Sequence, residues 1–203
     1  IVLYGDCDAV VGSPYAPFAT ALVELARGGG MGPAVLDRLG ASRADLARLV
    51  PDLAPARPTR RRSSDADAER LRLHTAVTEL LVAVSDEAPV LLVLEDLHWA
   101  DASTLLLVRH LVRSGAAARM LVVATFRDTE ADVVAELSEA LVDVYRTEGV
   151  VRIRLGGLAD GELAEFIRLA AGAEPTEELT GVVRDLTGGN AFLVTELWRE
   201  LVD

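Results

Sequence analysis

Two carboxylates standing side by side at the end of an apolar run are the best-placed candidates for chemistry in this chain. Val90-Leu91-Leu92-Val93-Leu94 leads directly into Glu95 and Asp96. Five apolar, mostly branched residues in a row read as a buried parallel strand, and such strands deliver polar groups to the rim of an α/β sheet. Carboxylates there can hold a hard divalent cation, which prefers oxygen ligands, and can orient a water for attack. Strand side chains alternate, so Glu95 and Asp96 are expected to do different jobs. The bland alternative is that one caps the next turn and the other faces solvent.

A second apolar run, Met120 to Ala124, ends at Thr125-Phe126-Arg127. Arg127, just past a neighbouring strand, can reach a phosphate, since a guanidinium fork matches phosphate oxygens. Thr125 can hydrogen-bond water or phosphate. The competing reading pairs Arg127 with Asp128 or Glu130 on the surface. His98 and Trp99 have side chains suited to catalysis or stacking, but the favoured reading is that Trp99 packs under the turn and His98 is a bonded loop residue. His74 and His110 have no metal-ligand partner at useful spacing, so no zinc site is indicated. Ser13, Ser103 and Cys7 lack a nearby base, which gives covalent catalysis no support.

These residues need a frame to position them. The chain has 203 residues, enough for one α/β domain and a small appended subdomain. Hydrophobic residues make up 51% but aromatics only 4%, so the core must be built from Leu, Val and Ala. There is no lysine; all 20 basic residues are arginine. The net charge of −12 argues against nucleic-acid binding by this segment, which would need a basic face. Arg60-Arg61-Arg62 sits among Pro55, Pro58, Ser63 and Ser64 and reads as a solvated loop. Cys7 is the only cysteine, so an internal disulfide is excluded and a reducing, cytoplasmic setting fits. No apolar run is long enough to span a bilayer. The start, Ile1-Val2-Leu3-Tyr4-Gly5, reads like a strand entered midway, as in a fragment.

Along the chain, a strand at 1–4 precedes a helix of about ten residues beginning near Pro14 and ended by Gly28-Gly29-Gly30. A weaker helical pattern covers 33–50, and 51–66 reads as a linker. Ser64 and Asp67 resemble a capping box. Leu73, Val77, Leu80, Leu81 and Val84 then form a helical stripe. After the strand at 90–94, Asp101 or Ser103 can cap a helix bearing Leu105, Val108, Leu111 and Val112. A helix over 131–146 follows the strand at 120–124. Val151, Ile153 and Leu155 alternate with Arg152 and Arg154, which predicts a half-exposed strand. Beyond Gly156-Gly157 the pattern is helical only. Leu163, Phe166, Ile167 and Ala170 are expected inward, then Leu179, Val182, Val183 and Leu186, then Leu193, Leu197 and Leu201. Strands alternating with helices imply a parallel sheet, with ligands beyond the carboxyl ends of its strands. Asp6, Glu95, Asp96 and Arg127 all fall there.

The segment from Val90 to Asp101 with Ser103, together with Leu121-Val122-Val123-Ala124-Thr125-Phe126-Arg127-Asp128-Thr129-Glu130, resembles the AAA-like ATPase domain of the signal-transducing STAND class. The pattern is similar to that of the large LuxR-type (MalT-like) bacterial transcriptional regulators. Gly5-x-Cys7-Asp8, Pro14-Tyr15-x-Pro17-Phe18 and Thr187-Gly188-Gly189-Asn190-x-Phe192 match as well. The resemblance implies a P-loop NTPase-like parallel sheet with flanking helices over 1–156 and a helical lid over 157–203. It places Glu95 and Asp96 on the Walker B acidic pair, as catalytic and magnesium-binding residues. It places Arg127 on the sensor-1 position, with Thr125 beside it, and Asn190 near the adenine in the lid. ATP and Mg²⁺ are the implied cofactors. The implied partners are adenine nucleotide, sensor and DNA-binding regions elsewhere in the polypeptide, and other copies in nucleotide-dependent assembly.

The chain departs from that pattern in three places. The Gly-rich, Lys-bearing phosphate loop is absent from these residues and is expected ahead of Ile1. Ala191 stands where the family has a proline. The acidic pair is Glu-Asp, whereas rapid AAA ATPases carry Asp-Glu, so slow hydrolysis suited to a switch is expected. A different class of function, a protein-interaction scaffold that keeps the fold without the nucleotide, is distinguished by the response to Asp96→Asn. A GTPase would need an Asn-Lys-x-Asp element, which a lysine-free chain cannot supply.

Overall fold

The computed structural model describes residues 1–9, 13–54, 65–115, 117–128 and 135–202, and the chain forms two compact units, Ile1–Val151 and Arg152–Asp203. In the first unit, three strands, β1 (Val2–Asp6), β2 (Val90–Glu95) and β3 (Met120–Ala124), form a parallel sheet in the order β1-β2-β3. The helices are α1 (Ala16–Arg27), α2 (Pro33–Leu39), α3 (Arg43–Leu46), α4 (Ala66–Glu87), α5 (Ala102–Ser114) and α6 (Ala135–Tyr145). This is the α/β architecture that the alternating pattern predicts.

The sheet is asymmetric. Leu3, Val90, Leu92 and Leu94 point to a face packed with Phe18, Leu22, Leu80, Leu81 and Leu107 in one continuous core. Burying each such leucine stabilises the fold by about 2 kcal/mol. The opposite face carries Val2, Tyr4, Leu91, Val93, Leu121 and Val123, which share register across the three strands. That face is largely uncovered: Val2 is 71% and Leu121 62% exposed.

Local choices follow from the residues. Leu73, Val77, Leu80, Leu81 and Val84 of α4 are all buried, as their spacing demands. The α4 cap is Asp65, whose carboxylate accepts from the amides of Asp67 and Ala68; Ser64, read as the cap from sequence, lies outside the described residues, as does most of the expected linker. The pattern over 33–50 is not one helix. It breaks at Gly40, whose φ of 48° favours glycine, into α2, a 3₁₀ turn at Gly40–Ser42 and α3. Gly5 is required on β1, because a Cβ there would fall inside the Pro17 backbone at the start of α1.

The strand expected over 151–155 does not form. These residues have no regular structure, and Val151, Ile153 and Leu155 are 79%, 78% and 92% exposed. Alternation alone cannot make a strand; it needs a neighbour to accept its backbone hydrogen bonds.

The second unit holds α7 (Asp160–Ala171), α8 (Glu177–Thr187) and α9 (Ala191–Val202) around a small core of Leu163, Ile167, Val183 and Val194. Several residues expected inward face solvent instead: Ala170, Leu179, Val182, Leu186, Leu193 and Leu201. In α8 the inward side is Thr180, Val183 and Thr187. The threonine hydroxyls donate back to the carbonyls of Thr176 and Val183, which satisfies them without water. Three short helices bury only a narrow stripe each, and of the single apolar face of α8 only Val183 is buried, at its edge.

Candidate functional site

Because the strands are parallel and in register, with Asp6 opposite Glu95, their carboxyl ends form one rim. Backbone bonds hold it: Cys7 donates to the Glu95 carbonyl (3.0 Å), and Leu97 to the Thr125 carbonyl (2.9 Å). Asp6, Glu95, Asp96, Thr125 and Arg127 therefore occupy one edge of the sheet, as the sequence predicts.

The two acids differ in setting. Glu95 lies on the uncovered face, where its Oε2 accepts from the Tyr4 hydroxyl at 2.5 Å. That bond, reinforced by some burial and by the charges of Glu95, Asp6 and Asp96, pushes the Tyr4 phenol up to about 12. Asp96 departs from the strand altogether. Its φ of 57° and ψ of 41° are left-handed, a conformation that Asp and Asn tolerate better than most residues. The turn throws its carboxylate outward, with a side chain 40% exposed. Its amide donates to Thr125 Oγ1 at 3.2 Å, which leaves the threonine proton free for another acceptor.

A 3₁₀ turn, Leu97–Trp99, follows. His98 is buried, as a bonded loop residue should be; its Nδ1 accepts from the Arg127 amide at 3.4 Å and lies 3.8 Å from Asp96 Oδ1. Trp99 is not packed under the turn. It is partly exposed, and the Arg127 guanidinium lies 5.5 Å from its ring centroid in a cation–π contact. His98 and Trp99 thus join the end of β2 to the end of β3. Tyr4 is the contributor that sequence reasoning missed, hinted at only by its shared parity with Asp6 on β1; Trp99 takes the stacking role that its residue type allows.

Asp101 caps α5, accepting from the amides of Ser103 (2.9 Å) and Thr104 (3.2 Å) and from the Thr104 hydroxyl. Burial opposes its ionisation, but the bonds from Thr104 and Ser103 outweigh it and hold the carboxyl below its usual range. Thr104 Oγ1 also accepts from the Tyr15 amide at 2.9 Å, fixing the left-handed turn that leads into α1. Cys7 is buried, and burial, with the nearby Asp6, Asp96 and Asp101, pushes its thiol up to about 11. It is no nucleophile at neutral pH. Among the described residues no group of three or more His, Cys, Asp or Glu is arranged to enclose a metal, so any cation at the rim would keep several waters. Asn190 belongs to the second unit, where its Oδ1 caps α9 by accepting from Phe192 (3.0 Å) and Leu193 (3.2 Å).

A parallel sheet with acids and a stacked arginine at its carboxyl rim defines an α/β protein of the P-loop NTPase-like type. Residues 1–123 match the family model described as AAA ATPase domain. The chain belongs to that family, which binds adenine nucleotide. No curated protein and no solved structure matches the chain. No described helix is long and apolar enough to cross a membrane.

Proposed function

We propose that this chain is the nucleotide-gated switch domain of a signal-transducing ATPase in a transcriptional regulator of the STAND, LuxR-like kind. It binds MgATP and hydrolyses it slowly when an upstream phosphate loop is present. The observation that carries this reading is the rim itself, where one sheet edge gathers Glu95, Asp96, Thr125 and Arg127. The core spans 1–156 and the helical lid 157–203.

In this reading Glu95 and Asp96 form the Walker B pair. Their hard oxygens suit magnesium, which when bound screens the β and γ oxygens of the triphosphate. The outward Asp96 carboxylate positions water, and Thr125 and Arg127 address the phosphate. Arg127, parked on Trp99, is pre-oriented beside the acids. Asn190, in the second unit, is the residue assigned to the adenine in this reading. The uncovered sheet face supports a further strand and helix, bearing the phosphate loop, beside β3, which is an edge strand among the described residues.

The test has two arms. The 203 residues alone should bind MgATP weakly or not at all, measured by calorimetry. A chain carrying the phosphate loop should bind it, and Asp96→Asn there should change hydrolysis or the signalling response. Tight binding by the 203 residues alone, or indifference to Asp96→Asn, contradicts the proposal. The second outcome favours a scaffold, for which the exposed α8 residues Leu179, Val182 and Leu186 offer a contact surface.

A further inference from the structure

A separate concentration of cations lies between α4 and α5. A hollow of about 480 Å³ is lined there by Asp67, Arg70, His74, Arg109, His110 and Arg113, among others. Three guanidiniums against one carboxylate is unusual in a chain of net charge −12. Arg70 is held by Asp67 one turn back, and Arg109 reaches Asp143 on α6. Arg113, in the last turn of α5, forms no ion pair among the described residues. Arg109 Nε is buried with no hydrogen-bond partner among them. None of these residues belongs to the strand rim.

We propose that this hollow binds a small phosphate-bearing anion, held by Arg113 together with Arg70 and Arg109. Phosphate has enough acceptor oxygens to engage all three forks, whereas a single carboxylate satisfies only one or two. The existing partners of Arg70 and Arg109 orient those guanidiniums and leave N–H groups over for a ligand. The proposal stands whether or not the rim binds nucleotide.

Two histidines report on the site. His74 is buried, its Nε2 sits 3.2 Å from the Tyr15 hydroxyl, and its ring centroid lies 5.8 Å from that of His110. The charged and titratable groups around them are Tyr15 ahead of α1, Asp67 and Arg70 on α4, and Arg109 and Arg113 on α5. Burial, then His110 and Arg70, pushes His74 down to about 4, and burial lowers His110. A bound dianion would favour the protonated rings and raise both. The chain's third histidine, His98, lies at the rim and serves as an internal control.

The experiment follows the histidine rings by NMR while the 203-residue protein is titrated with inorganic pyrophosphate, against chloride at matched ionic strength. The expected result is saturable shifts at His74 and His110, a rise in both pKa values, and no change at His98. Arg113→Gln, at an exposed position, should weaken binding about tenfold, the worth of one charge-assisted bond. A flat titration, an equal response to chloride, a response at His98 alone, or unchanged affinity in Arg113→Gln would each overturn the proposal.

Discussion

The Tyr4 hydroxyl donates a 2.5 Å hydrogen bond to Glu95 Oε2, tying one of the two rim acids to the neighbouring strand. Tyr4 is raised from 10.0 to about 12 chiefly by this bond. Its protonated form is the one the fold favours. The stabilisation is complete below the unfolded value, near 10, and is lost as pH rises through about 12. Titrating tyrosinate absorbance should reveal one late-ionising tyrosine of this origin. Glu95→Gln removes the charge and should bring it back toward 10.0, and an unmoved titration would show that the bond does not form in solution.

Asp96 combines a left-handed backbone with an exposed carboxylate, so substitutions there can separate conformation from charge. Asp96→Asn keeps tolerance for positive φ and should leave thermal stability within about 0.5 kcal/mol of the parent. Asp96→Ala should cost about 1 kcal/mol, since a Cβ without a local hydrogen-bonding group is disfavoured there. Denaturant melts of the two variants check this, and equal losses would refute it.

The Asp101 carboxylate holds the first turn of α5 and, through Thr104, the turn carrying Tyr15. Asp101→Ala should cost about 1–2 kcal/mol as a lost cap. It should also raise amide exchange at Tyr15, which a cap acting on α5 alone would not do. Hydrogen exchange resolved to that residue distinguishes the two.

His74 gives stability an acid-side dependence. It is neutral in the fold, with its value depressed from 6.5 to about 4 by burial, by His110 and by Arg70. The unfolded chain binds its proton first, so stability present above about 6.5 declines as pH falls toward 4. Replacing His74 by Phe keeps a ring against Tyr15 and should flatten that slope in urea midpoints measured across the interval.

Much of the frame was legible in the sequence because local pattern and tertiary environment agree there. The run Val90–Leu94 had to be a buried strand, and the α4 stripe from Leu73 to Val84 could face only a core. The rim followed from chain direction alone, since parallel strands carry Asp6, Glu95 and Thr125 to one edge. Contacts between residues distant in the chain were not legible: the partnership of Tyr4 with Glu95 and that of Trp99 with Arg127 depend on strand order and on the path of a turn. Val151 to Leu155 misled for the opposite reason, because period-two alternation is a property of the segment whereas pairing is a property of its surroundings. In α8 the single apolar face of Leu179, Val182, Val183 and Leu186 was legible, but the helix is turned so that Thr180, Val183 and Thr187 face inward, which depends on how α7 and α9 pack.

Helices clothe one side of the sheet, while Val2, Tyr4, Leu121 and Val123 meet water on the other. A contiguous greasy plane bounded by an edge strand is what hydrophobic dyes and cellular holdases seize, and what drives sheets to stack on one another. Recombinant yield, shelf life and turnover of this polypeptide will accordingly be governed by how quickly that bare plane finds a cover, long before the acids at its tip have any say.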